Sequence, residues 1–177
     1  GDLVAVSGWP GRAGAGMRLA RALGEAARAP EWEPLLEAWL EPPDRVALAL
    51  ALRASGAVTA AVDVSDGLAG DLAHLCEAGG LGAEVEETAW PADEPLERAA
   101  RALGVAPGAL RFGPSDDYEL LLALDPAGRP AVERAAAAAG VPLAVVGRFT
   151  AGPSRPALRA ADGAVVALGA GYDHFGS

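Results

Sequence analysis

The chain of 177 residues contains no lysine; all fourteen of its basic residues are arginine. That absence excludes a P-loop, whose lysine reaches the phosphates of a nucleotide. The glycines of Gly8-Trp9-Pro10-Gly11-Arg12-Ala13-Gly14-Ala15-Gly16 would otherwise invite that reading. Positive charge is scarce altogether. With 24 acids against 14 arginines the net charge is −10, which argues against nucleic acid as a partner. If the protein handles a polyphosphate, metal ions must supply much of the neutralising charge, and acids that recruit such ions become an asset. Cysteine is nearly missing too. Cys76 alone permits no internal disulfide, which favours a cytoplasmic protein, and its plainest role is that of a small buried hydrophobe. No apolar run reaches the roughly 18 residues of a membrane span, and no signal peptide is visible, so no membrane is expected as a partner. The sole methionine is Met17. The chain as it stands lacks an initiator and is expected to be processed or a piece of something longer.

What is present is organised around residues 58–75, VTAAVDVSDGLAGDLAHL. Val58 to Val64 is apolar and β-branched, with no polar break before Asp63, and reads as a buried strand. From Asp66 onward Leu68, Leu72 and Leu75 recur at helical intervals. Ser65 reads as the helix N-cap, with Asp66 in the first turn, where a carboxylate suits the helix dipole. Asp63 then closes a strand while Ser65 and Asp66 open a helix, and in open α/β sheets ligands bind at such junctions. Two carboxylates so placed can hold magnesium, which takes one or two protein carboxylates and fills its other positions with water and phosphate oxygens. Helix capping is the competing explanation for Ser65 and Asp66. It does not explain Asp63, an acid at the end of an apolar strand, where charge is costly without a partner.

The rest of the chain alternates strands and helices irregularly. Residues 2–7 read as a strand, the glycine-rich turn 8–16 as a connection, and 15–28 as an amphipathic helix. Further helices are expected over 31–40 and, with Asp44 as its cap, 44–54. Ala83 to Glu87 reads as an edge strand because acids at 84, 86 and 87 suit exposure. A helix over 95–103 ends at Gly104. The loop Gly113–Asp117 is turn chemistry throughout, with Asp116 and Asp117 as solvated turn residues, and leads into the strand Leu120–Leu124. A helix over 128–139, a strand over Leu143–Phe149 and a hairpin around Asp162-Gly163 complete the pattern. The sum is one α/β (α+β) domain, a mixed sheet covered by helices, with no repeat or linker.

Three segments together carry a resemblance: Asp63-Val64-Ser65-Asp66-Gly67-Leu68, Asp116-Asp117-Tyr118-Glu119-Leu120, and Gly171-Tyr172-Asp173-His174-Phe175. With them the chain resembles the C-terminal part of the thiamine-monophosphate kinases. These belong to a superfamily with aminoimidazole ribonucleotide synthetase, selenophosphate synthetase and hydrogenase maturation proteins. The resemblance implies an aminoimidazole ribonucleotide synthetase C-terminal-domain-like fold. It implies a kinase, a transferase moving the γ-phosphoryl of ATP onto thiamine monophosphate to give thiamine diphosphate, with magnesium. It implies Asp63 and Asp66 as metal ligands, Ser65 as an ATP-phosphate contact, and Asp116 and Tyr172 as substrate contacts. Asp116 stands where the family usually has glutamate, and Pro114 and Ser115 replace its glycines, making the loop stiffer and bulkier. Such chemistry needs positioning and charge neutralisation rather than a protein nucleophile, so no catalytic residue is assigned. The resemblance further implies an N-terminal domain carrying the remaining ligands, dimerisation mainly through that domain, and inactivity of the chain alone. Two alternatives stand beside it: an ATP-dependent synthetase of the same superfamily, and a non-catalytic scaffold domain.

Overall fold

The computed structural model describes residues 1–169; Tyr172 and the rest of the aromatic tail lie outside them. The strands are β1 (Leu3–Ser7), β2 (Val58–Asp63), β3 (Gly82–Glu86), β4 (Leu120–Leu124), β5 (Leu143–Thr150), β6 (Pro156–Arg159) and β7 (Val165–Ala167). The helices are α1 (Arg12–Leu23), α2 (Glu33–Leu40), α3 (Val46–Ser55), α4 (Leu68–Gly79), α5 (Glu94–Leu103), α6 (Pro107–Arg111) and α7 (Arg129–Ala138). The strands form one sheet in the order β2-β4-β1-β5-β3-β6-β7. Neighbours are antiparallel except β3 with β6, which makes the sheet mixed.

Alternation along β1 and β4 divides the core. Val4, Val6, Leu121 and Ala123 face α4, where Leu68, Leu72 and Cys76 cover them. Ala5, Leu122 and Leu124 face the other way, against Leu48 and Leu52 of α3 and Val132 and Ala136 of α7. A third cluster joins the helices α1, α2, α5 and α6 through Leu19, Leu35, Leu96 and Leu110. Each fully buried leucine contributes about 1.5–3 kcal/mol, so the central strands and their covering helices dominate stability. Cys76 is fully buried, and burial pushes its thiol up to about 11, so it serves as packing. Among the described residues no helix is long and apolar enough to cross a membrane.

Two strand assignments need correction. Among the described residues the expected buried strand β2 lies at the edge of the sheet and pairs with β4 alone, and Thr59, Ala60 and Ala61 are exposed. Its small residues leave little apolar surface that must be covered. The expected edge strand β3 lies inside the sheet, between β5 and β6. Its Ala83 and Val85 point into the core while Glu84 points out and takes two 2.8 Å bonds from Arg159 on the neighbouring strand. The alternating acids marked a solvated face, not a free edge.

Candidate functional site

The pairing of β2 with β4 continues past Asp63. The Val64 N–H donates to the Glu119 carbonyl and the Tyr118 N–H to the Val64 carbonyl, each at 2.8 Å. This ties the segment 63–66 to the segment 115–119. The chain then turns through Ser65 and Asp66 to Gly67, and α4 begins at Leu68. Ser65 is therefore not the N-cap. Gly67 holds that position at φ 96°, and a Cβ there would stand 2.2 Å from the Gly113 carbonyl oxygen, so only glycine fits. The carboxylate in the first turn is Asp71, not Asp66. Asp71 is 2% exposed, and its Oδ2 accepts the N–H groups of Ser65 and Asp66, both at 3.0 Å. Burial raises its pKa, and those two bonds partly offset the rise.

Half-buried Asp66 faces exposed His74, whose Nε2 lies 3.8 Å from Asp66 Oδ2. With Asp71 they bring three donor atoms within 4.8 Å of one another. Oxygen donors of this kind suit magnesium; the imidazole nitrogen suits it less and is better placed to orient Asp66. Asp63 is exposed at the end of β2 and opens elsewhere. It lines a groove of ≈ 360 Å³ on the α3 side with Pro42, Pro43, Val46, Tyr118 and Leu120. The two acids thus leave the same strand end, Asp63 toward α3 and Asp66 toward α4. A larger hollow of ≈ 470 Å³ across α2, rimmed by Glu33, Glu37 and Glu41, shares no residue with this region.

The segment 115–119 alternates strictly. Ser115, Asp117 and Glu119 are buried; Asp116 and Tyr118 are exposed. Each buried member is anchored. Ser115 Oγ accepts the Gly14 N–H at 2.8 Å. Asp117 accepts the N–H groups of Gly11 (2.6 Å) and Ala13 (3.0 Å). Glu119 accepts Ser7 Oγ–H at 2.5 Å and two bonds from Arg45, at 2.6 and 2.7 Å. The glycine-rich turn is thus a cradle for backbone and side chains of this chain. Gly11, at φ 92°, passes so close to Leu110 that a Cβ would lie 2.6 Å from its carbonyl oxygen. The adjacent acids are not both solvated: burial pushes Asp117 up to about 6, against the lowering effect of its hydrogen bonds. Asp116 alone of the pair faces water.

Sequence reasoning missed Asp71, Glu119, Arg45 and Tyr118. Asp71 carried a readable signal, an acid between Leu68, Leu72 and Leu75 on an apolar stripe. Glu119 opens an apolar strand in the same way. Nothing local announced Arg45 as its partner, since they meet across 74 residues.

An open mixed sheet with helices on its faces, and with acids gathered where a strand hands over to a helix, defines an α/β domain. The chain belongs to the family of the AIR synthase related protein, C-terminal domain, which matches residues 1–156. It is 32% identical over 176 residues to thiamine-monophosphate kinase of Escherichia coli strain K12, covering 99% of this chain and 53% of that protein. The solved thiamine-monophosphate kinase of Stenotrophomonas maltophilia K279a superposes with a TM-score of 0.78 at 32% identity, over 92% of this chain and 50% of that one. AaThiL complexed with AMPPCP and TMP superposes with a TM-score of 0.79 at 26% identity, over 99% of this chain and 52% of that one. The chain therefore spans about half the length of these relatives.

Proposed function

We propose that this chain is the C-terminal domain of a kinase that transfers the γ-phosphoryl of ATP to thiamine monophosphate, with magnesium. The observation that carries the reading is the hydrogen-bonded junction of segments 63–66 and 115–119, which sets Asp63, Ser65, Asp66 and Asp116 at one end of the sheet. The likeness to thiamine-monophosphate kinases over 99% of the chain supports the substrates. Asp63, on the α3 side, and Asp66, on the α4 side, would each offer oxygen donors to magnesium at separate positions, the donors fitting a hard ion. Magnesium, when bound, neutralises phosphate charge. Ser65 contacts the ATP phosphates, while Asp116 and Tyr172 contact thiamine monophosphate. Two anions must meet in this reaction, so positioning and charge compensation do the catalysis and no side chain becomes a nucleophile. An N-terminal domain supplies the remaining ligands, and the full-length enzyme is a cytoplasmic homodimer.

The test is thiamine diphosphate formation by the full-length protein given thiamine monophosphate, ATP and magnesium. Asp63→Asn and Asp66→Asn should each lower kcat by roughly a hundredfold with little change in melting temperature. Unfolding with normal activity per folded molecule would make the acids structural, and no product from the unmodified protein would end the kinase reading.

A further inference from the structure

Among the described residues Tyr118 is the one non-glycine residue with positive φ, at 51°. A side chain bearing a Cβ is disfavoured there, and glycine or asparagine is the ordinary solution. Such strain persists where the surroundings over-determine it, and it gathers at ligand-binding sites. The surroundings here are explicit. Residues 117 and 119 on either side are anchored inward, and the Tyr118 N–H is held by Val64. The left-handed turn explains the backbone but not the tyrosine. Tyr118 is 45% exposed, so burial returns little for a residue that glycine would replace without strain.

We infer that Tyr118 is a substrate-contact residue whose ring receives the flat cationic ring of the phosphoryl acceptor in the groove between α3 and β4. This rests on the kinase reading above. Pro42, Pro43 and Leu120 give the groove apolar walls, and Asp44 and Asp63 give it negative charge. Its cation, Arg45, is committed to Glu119 through two short bonds. An aromatic face among carboxylates suits a cationic heteroaromatic ring. Asp116, two residues away, is also exposed. Arg45 and Glu119 act as positioning residues, holding the backbone that presents the ring.

The test uses the full-length protein and two variants, Tyr118→Gly and Tyr118→Phe. Glycine removes the ring and the strain together, so the melting temperature should hold or rise. KM for thiamine monophosphate should rise roughly five- to thirtyfold, with KM for ATP within about twofold. Phenylalanine should restore the acceptor KM. Titration calorimetry with thiamine monophosphate and no nucleotide should show the same order of affinities. The inference is overturned if Tyr118→Gly leaves the acceptor KM and Kd unchanged, or if both KM values move equally alongside a lower melting temperature. It is also overturned if phenylalanine is as poor as glycine. Calorimetry separates the two readings: a protein that binds the acceptor without phosphorylating it sinks the kinase assignment, while Tyr118→Gly still decides the contact.

Discussion

Asp117 shows what a single buried carboxylate does here. Its two oxygens take the N–H groups of Gly11 and Ala13, fastening the glycine-rich turn to the loop before β4. Burial nevertheless raises its pKa to about 6. The folded chain therefore holds a proton that the unfolded chain has released once the pH passes about 4. This group's contribution to stability is complete below that value and is lost as the pH rises through about 6. Melting temperature against pH should show the loss in the unmodified protein, and Asp117→Asn should remove that component of the slope. The variant should also cost about 1–3 kcal/mol, because its amide nitrogen faces a backbone N–H and leaves one donor unpaired. A slope between pH 4 and 6 unchanged by the substitution would assign the titration to another group. Gly67 offers a harsher test. Gly67→Ala places a methyl at 2.2 Å from a carbonyl oxygen in a left-handed backbone, and should cost more than about 3 kcal/mol by denaturant titration.

At the scale of elements, the ion pair of Arg45 and Glu119 joins the start of α3 to the strand β4 across the edge of the sheet. Glu119 is 4% exposed and Arg45 retains only limited contact with water. Removing the guanidinium leaves a buried carboxylate whose remaining side-chain donor among the described residues is the Ser7 hydroxyl, so Arg45→Met should destabilise by about 3 kcal/mol. The double change Arg45→Met with Glu119→Leu should recover much of that, since no buried charge is then left without its partner. Equal losses in single and double variants would show that packing, not charge, sets the cost. This pair also marks where legibility ended. β1, β4, β5 and the helices stopped by Gly56, Gly80 and Gly104 were readable because period and glycine are local signals. The places of β2 and β3 in the sheet were not, because alternation reports which face a residue takes and says nothing of its neighbours. The start of α4 was misread for a related reason. The N-cap is Gly67, with no side-chain cap, and Asp71 inside the helix bonds backward to the turn before it, whereas the serine before the helix looked like the cap.

For the molecule as a whole, the distribution of acids decides how much this chain can do by itself. Asp63 opens into the α3-side groove, while Asp66 stands with Asp71 and His74 on the α4 side. Magnesium demands near-ideal octahedral oxygen geometry and loses its waters reluctantly. One exposed carboxylate, or one carboxylate beside an acid already engaged by two N–H groups, is a partial shell for such an ion. The net charge of −10 also repels a nucleotide until ions intervene. Relatives about twice this length have room for the missing ligands in their other half. On the proposed reading this chain alone should bind magnesium–ATP with Kd no tighter than about 1 mM, close to −4 kcal/mol. The full-length protein should bind it far more tightly, and Asp63→Asn should erase most of that gain. Titration calorimetry on both forms measures the difference. Tight, magnesium-dependent binding to the short chain would mean that the carboxylates at the end of β2 form a complete site, and that the division of ligands between the two halves is wrong.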